Sequence, residues 1–162
     1  MKENWYVLQF TSTRFQVVFN HLTNSGVKYF CPMSQSRLYR RPDKAIGYRK
    51  RMTPLFPGYL FLKVNFSKIH SSKITAIPWT QRFISFGGAP VPVDETIIKE
   101  LLLRYGDNIF QENTVQSQTV KSIPHRLAEI LLEDNPDKRS MMLLNYITDS
   151  FSEYQKEISM IV

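Results

Sequence analysis

The chain has a single cysteine, Cys31, in 162 residues. That excludes an intrachain disulfide and suits a reducing cytoplasm. Cys31 stands before Pro32 near a strand end and reads as a small packing residue. Only three histidines occur, His21, His70 and His125, roughly fifty residues apart, and none has a cysteine or a carboxylate pair beside it. This is not metal-ligand spacing. Gly87-Gly88 is not followed by Lys-Ser or Lys-Thr, so it is no phosphate loop. With no nucleophile, base and metal set, no enzymatic activity, metal or cofactor is expected. No apolar run approaches the ~18 residues of a membrane span. Met1 to Trp5 leads straight into a strand pattern without the apolar core of a signal peptide. A cytoplasmic monomer with no membrane contact is expected.

Acidic residues are scarce in the first part of the chain. Residues 1–63 carry eleven Lys and Arg against only Glu3 and Asp43, whereas residues 115–162 carry five basic against seven acidic residues. The split suggests that an N-terminal unit meets a polyanion and a C-terminal unit does not. A composition of 43% hydrophobic and 22% charged residues is that of a globular chain, and the length allows one domain or two small ones.

Trp5 to Phe10 has the aromatic and aliphatic content of a strand. Thr11-Ser12-Thr13 offers an N-cap for a helix to about Ser25, with Phe15, Val18, Phe19 and Leu22 at helical spacing and Gly26 ending it. Val27 to Pro32 reads as a second strand. The polar, basic residues 34–52, with the turn signal Pro42-Asp43, suit either a hairpin or a mobile loop. Gly58 to Val64 is a strand, Ser67 to Ala76 a short helix and Gln81 to Phe86 another strand. Asp94 caps a helix over about Glu95 to Tyr105, with Ile97, Ile98, Leu101 and Leu102 on one face. The order β-α-β-β-α-β plus a helix predicts an α+β fold, an antiparallel sheet covered by helices. Residues 106–118, poor in apolar side chains, read as a linker between a first domain at 1–105 and a second at 119–162. In the second domain, 125–133 and 138–156 have helical periodicity, with Leu127, Ile130, Leu131, Met141, Leu144 and Ile147 as its apolar face. This predicts an α-helical hairpin.

The most informative stretch is Pro54-Leu55-Phe56-Pro57-Gly58-Tyr59-Leu60-Phe61, preceded by Arg49-Lys50-Arg51. Its residue types suit a buried strand with a basic loop, or an aromatic binding surface beside a polyanion-attracting one. Taken with Trp5 to Leu8, His21-Leu22, Cys31-Pro32-Met33 and Phe83 to Gly87, in that order and spacing, it resembles the NusG family of transcription elongation factors. Ile69 to Ile74 and Arg139 to Asn145 resemble the operon-selective RfaH branch, and drift at several positions suits a plasmid-borne paralogue. The resemblance covers nearly the whole chain.

The resemblance implies a non-enzymatic, operon-specific elongation and antitermination factor. Its partners are bacterial RNA polymerase, exposed non-template-strand DNA and ribosomal protein S10. Phe56, Tyr59, Phe61, Phe86 and Leu101 match the pocket that grips the clamp helices of the polymerase's largest subunit. Residue types alone leave Phe61 and Phe86 equally readable as core. His70, Ser71, Ser72 and Lys73 match a contact to the second large subunit, or form a capped, solvated helix start. Arg14 and His21 match DNA-contacting positions. Trp79 can stack an unpaired base or be partly buried. The resemblance also implies that the helical hairpin docks through its apolar face on the first domain and can refold into a five-stranded barrel. The basic member of an interdomain ion pair matches Arg139, but its acidic member falls on Thr53, so that pair cannot form. Two other classes stay open. One is a general single-stranded nucleic-acid-binding module using Arg37 to Arg51, and the other is a purely structural interaction protein.

Overall fold

A computed structural model describes residues 3–40, 48–106 and 124–161, and of residues 35–40 and 48–51 the backbone alone. The expected linker and the start of the second domain lie outside the described residues, apart from Gly106.

A five-stranded antiparallel sheet holds the first part of the chain. β1 (Asn4–Phe10) lies inside it, and β5 (Tyr59–Val64) pairs with β1 from Asn4↔Val64 to Gln9↔Tyr59. β2 (Lys28–Phe30) flanks β5. On the other side of β1, β6 (Thr80–Phe83) pairs near Leu8 and Phe10, and β9 (Pro92–Val93) pairs near Trp5 and Tyr6. The sheet is thus antiparallel as expected. Residues 34–52, left open as hairpin or loop, contribute β3 (Met33–Arg40) and β4 (Tyr48–Pro54), which pair with each other. The stretch Gln81–Phe86 is not one strand. It divides between β6 and β7 (Ser85–Phe86), and β7 pairs with β8 (Ala89–Pro90) across Gly87-Gly88. Both glycines sit at positive φ, 63° and 87°, which an L side chain rarely tolerates.

The period of two along β5 explains its continuous apolar run. Leu60, Leu62 and Val64 enter one core, and Phe61 enters another. The first core is closed by α1 (Phe15–Asn24), through Val18 and Leu22, and by Ile74 of α2 (Ser71–Thr75). α2 is shorter than expected, because Asn65 to Ser67 form a turn in which Asn65 Oδ1 accepts from the Ser67 N–H at 2.9 Å. The second core contains Val7, Phe30, Phe56, Phe61, Val91 and Val93, with Ile97, Ile98 and Leu101 of α3 (Glu95–Tyr105). Asp94 caps α3, accepting from the Thr96 N–H at 2.9 Å. Cys31 is buried and its thiol is pushed up to about 12 by desolvation, as befits a packing residue.

Two further helices are α4 (His125–Leu132) and α5 (Pro136–Ile161). Arg126 Nη2 meets Asp149 Oδ2 at 2.6 Å between them, and the Arg126 guanidinium lies 5.3 Å from the Tyr146 ring centre. Among the described residues, no helix is long and apolar enough to cross a membrane, and no cluster of three His, Cys, Asp or Glu could hold a metal ion.

Candidate functional site

The second core is shared. Ile130 of α4 and Leu143 and Ile147 of α5 pack into it with Phe56, Phe61 and Leu101. Those three groove residues are fully buried, with Tyr59 half-buried at the rim. Phe86 differs: it is 48% exposed, and its ring stands edge-on to Phe151 of α5 at 6.0 Å. The structure therefore brings Phe56, Tyr59, Phe61 and Leu101 together and holds Phe86 outside the core, on the short β7–β8 ribbon.

The expected apolar face of the C-terminal helices needs one correction. Met141 is 55% exposed, on the outer side of α5. The seam actually runs through Ser140, Leu143 and Ile147, with Leu144 and Phe151 partly buried beside it. Ser140 lets the helix approach the sheet unit closely, and its hydroxyl lies 3.3 Å from the Pro57 carbonyl. Met141 is one residue further on, about 100° around the helix, and so turns away. Leu127 is buried, but it is not part of the groove cluster. Leu131 is partly buried against the cluster.

Arg139 bonds to backbone carbonyls. Its Nη1 donates to the Leu55 carbonyl at 2.7 Å, while Nε and Nη2 donate to the Glu133 carbonyl at 3.1 and 2.9 Å. One guanidinium thus ties the α4–α5 turn to the Pro54–Gly58 segment. Sequence reasoning missed Ser140; it put Phe151 at helical spacing with Met141, Leu144 and Ile147, and took Leu143 only as widening that stripe. Ser140 carries no apolar signal, and Leu143 was hidden because the apolar stripe is wide enough to admit more than one phase.

A separate surface gathers Arg14 and Trp79. The Arg14 guanidinium sits 5.0 Å from the Trp79 ring centre, and both residues are exposed. Trp79 has φ of 71°, the left-handed region. The Thr11 N–H holds this turn by donating to the Trp79 carbonyl at 2.9 Å, and Gln81 Nε2 donates to Thr11 Oγ1 at 3.3 Å. An indole held in strained backbone with a cation on it is a preformed stacking platform. His21 is exposed on α1, seven residues beyond Arg14 and roughly 10 Å along the axis. His70 Nδ1 caps α2, accepting from the Ser72 N–H at 3.2 Å and lying 2.8 Å from Ser72 Oγ. Ser72 and Lys73 are exposed and Ser71 is half-buried. Side chains of the Arg37 to Arg51 segment lie outside the described residues.

The profile of a family described as "Transcription termination factor nusG" matches residues 3–102, which is more than half of the chain. The chain belongs to the NusG family. It is thereby a transcription elongation or termination factor, and factors of this family bind RNA polymerase and are not enzymes. A solved structure titled "Domain interaction in Thermotoga maritima NusG" is similar at 23% identity, covering 76% of this chain and 69% of that one with a TM-score of 0.43.

Proposed function

We propose that this NusG-family chain is a specialised, RfaH-like antitermination factor whose polymerase-binding groove is covered by its own C-terminal helices at rest. The observation that carries this reading is the shared core. Phe56, Phe61 and Leu101 form an apolar groove with Tyr59 and Phe86 at its edge, and Ile130, Leu143 and Ile147 occupy it. A groove that takes one amphipathic helix can take another, and aromatic anchors supply large contact area at low entropic cost. The occupant that matters is the clamp-helix tip of the polymerase's largest subunit. Residues 1–105 form the polymerase-binding domain. Residues 119–162 mask it, and on release they refold into a five-stranded barrel that contacts ribosomal protein S10. His70, Ser71, Ser72 and Lys73 touch the second large subunit from the exposed start of α2.

Arg14, His21 and Trp79 hold the exposed non-template strand. Guanidinium and imidazole take phosphate or base edges, and the indole stacks an unpaired base. The basic Arg37 to Arg51 segment favours a second reading, a general single-stranded nucleic-acid-binding module. Pull-down with RNA polymerase separates the two, using full-length protein and residues 1–105 in parallel. Stronger capture by residues 1–105 supports masking, and equal capture without DNA removes it. Salt-sensitive binding to any single strand, with no capture of polymerase, selects the second reading.

A further inference from the structure

The segment Leu55-Phe56-Pro57-Gly58 has four backbone carbonyls, and they divide into two pairs. The Phe56 carbonyl accepts from the Tyr59 N–H at 3.1 Å, and the Gly58 carbonyl accepts from the Phe10 N–H at 2.8 Å. Both bonds lie within the sheet unit. The Leu55 and Pro57 carbonyls instead meet α5: Arg139 Nη1 donates to Leu55 at 2.7 Å, and the Ser140 hydroxyl, 3.3 Å from Pro57, shares its one hydrogen with the Pro136 carbonyl of its own helix at 3.2 Å. These two oxygens border the apolar groove, and Leu55 is only 3% exposed beneath the helix. A helix laid over the groove covers the Leu55 oxygen, while Pro57 at its margin stays half-buried. Such a helix must bring its own donors or leave a buried carbonyl unpaired, a penalty of about tenfold to a hundredfold in the binding equilibrium.

We propose that the Leu55 and Pro57 carbonyls are a polar socket that selects which helix may occupy the groove. The polymerase helix that replaces α5 carries the matching set. It has an Arg or Lys, a small or hydroxyl residue directly after it, and branched apolar side chains four and eight positions beyond the cation, where α5 has Leu143 and Ile147. α5 is in this respect a copy of the partner it excludes. The inference rests on the groove being the polymerase site.

The test uses full-length protein. Arg139→Met keeps length and apolar volume but removes the donors, whereas Arg139→Lys keeps one cationic donor group. Hydrogen exchange of the α5 amides should show opening raised about tenfold to a hundredfold in Arg139→Met and less in Arg139→Lys. Arg139→Met exchange equal to wild type overturns the socket. The Arg139→Met protein is then titrated with core RNA polymerase and with polymerases whose clamp-helix Arg and Lys residues are replaced by Met one at a time. One replacement should weaken binding at least tenfold. Equal binding by every replaced polymerase overturns selection of the partner by the socket. If Arg139→Met opens α5 and yet binds wild-type polymerase no better than the native chain, the groove is not the polymerase site. That result fails the functional reading and the partner half of this proposal, while the carbonyl contacts to α5 stand.

Discussion

Leu143→Ala tests how the C-terminal helices are held. Leu143 is completely buried and shares a core with Phe56, Phe61 and Leu101, so truncation leaves a cavity in the groove. Such a substitution costs about 2–5 kcal/mol. Because the side chain belongs to α5 and its groove neighbours to the sheet unit, the loss falls mainly on docking. The open state then grows by about thirtyfold to several thousandfold. Arg139 offers less: a hydrogen bond from a charged donor is worth about 1.5–3 kcal/mol. Three fully buried side chains, Ile130, Leu143 and Ile147, contribute roughly that much each before entropy costs. Native-state hydrogen exchange on the full chain reads the effect segment by segment. Protection should collapse in 125–161 and hold at Leu8, Leu60 and Leu62, which lie in the other core. Met141→Ala is the control for helix phase. Exposed on the far side, it should change stability by less than about 0.5 kcal/mol. Unchanged α5 protection in Leu143→Ala refutes the packing argument. Equal loss in β1 and β5 shows instead that helices and sheet open as one unit.

Tyr59→Ala should weaken polymerase binding by about 2 kcal/mol, roughly thirtyfold, with the fold intact, because Tyr59 is a half-buried rim residue. Phe56→Ala should instead destabilise the protein by about 3–5 kcal/mol in urea unfolding, because Phe56 is core. Trp79→Gly should leave stability unchanged or raise it by about 1 kcal/mol, since glycine tolerates φ of 71°, while binding to single-stranded DNA falls; a marked loss of stability contradicts the strain argument. Arg14→Ala should weaken the same binding and flatten its dependence on salt. The Cys31 thiol rises from 9.0 to about 12 in the folded chain, so its stabilising effect is complete below pH 9 and declines as pH climbs toward 12. Cys31→Ala should therefore lose less stability than wild type between pH 8 and 11 in denaturant titrations.

Much of this was legible because short-range physics decided it. β1, β5, α1 and α3 follow from periodicity, from Gly26 and from the Asp94 cap. The break at Ile84 was not, because its cause is tertiary. The Ile84 N–H donates to the Val7 carbonyl at 2.9 Å, and the Val91 N–H donates back to Ile84, so the chain turns from one sheet into a second ribbon. β9 was hidden by Pro92, which disguises a two-residue edge pairing to β1. In the site, the aromatic membership of the groove was readable, but not the phase of α5. A broad apolar stripe from Met141 to Ile147 has several equivalent rotations, and the contacts of Arg139 and Ser140 with the Leu55 and Pro57 carbonyls choose among them. The pairing of Arg14 with Trp79 spans 65 positions and a left-handed turn, neither of which local spacing reveals.

The two cores close at different moments of the chain's life. The core beneath α1 has all its members once Phe83 exists, and the groove is built by Leu101, but its cover arrives only with Ile130, Leu143 and Ile147. Ribosomes add about 5–20 residues per second, so the roughly 46 residues from Leu101 to Ile147 take about 2–9 s. During those seconds a nascent chain presents an uncovered groove, and a helix already at hand meets no internal competitor. If the groove is the polymerase site proposed above, the protein is receptive when newborn and closed when mature, and its place of synthesis bears on which polymerase it first meets.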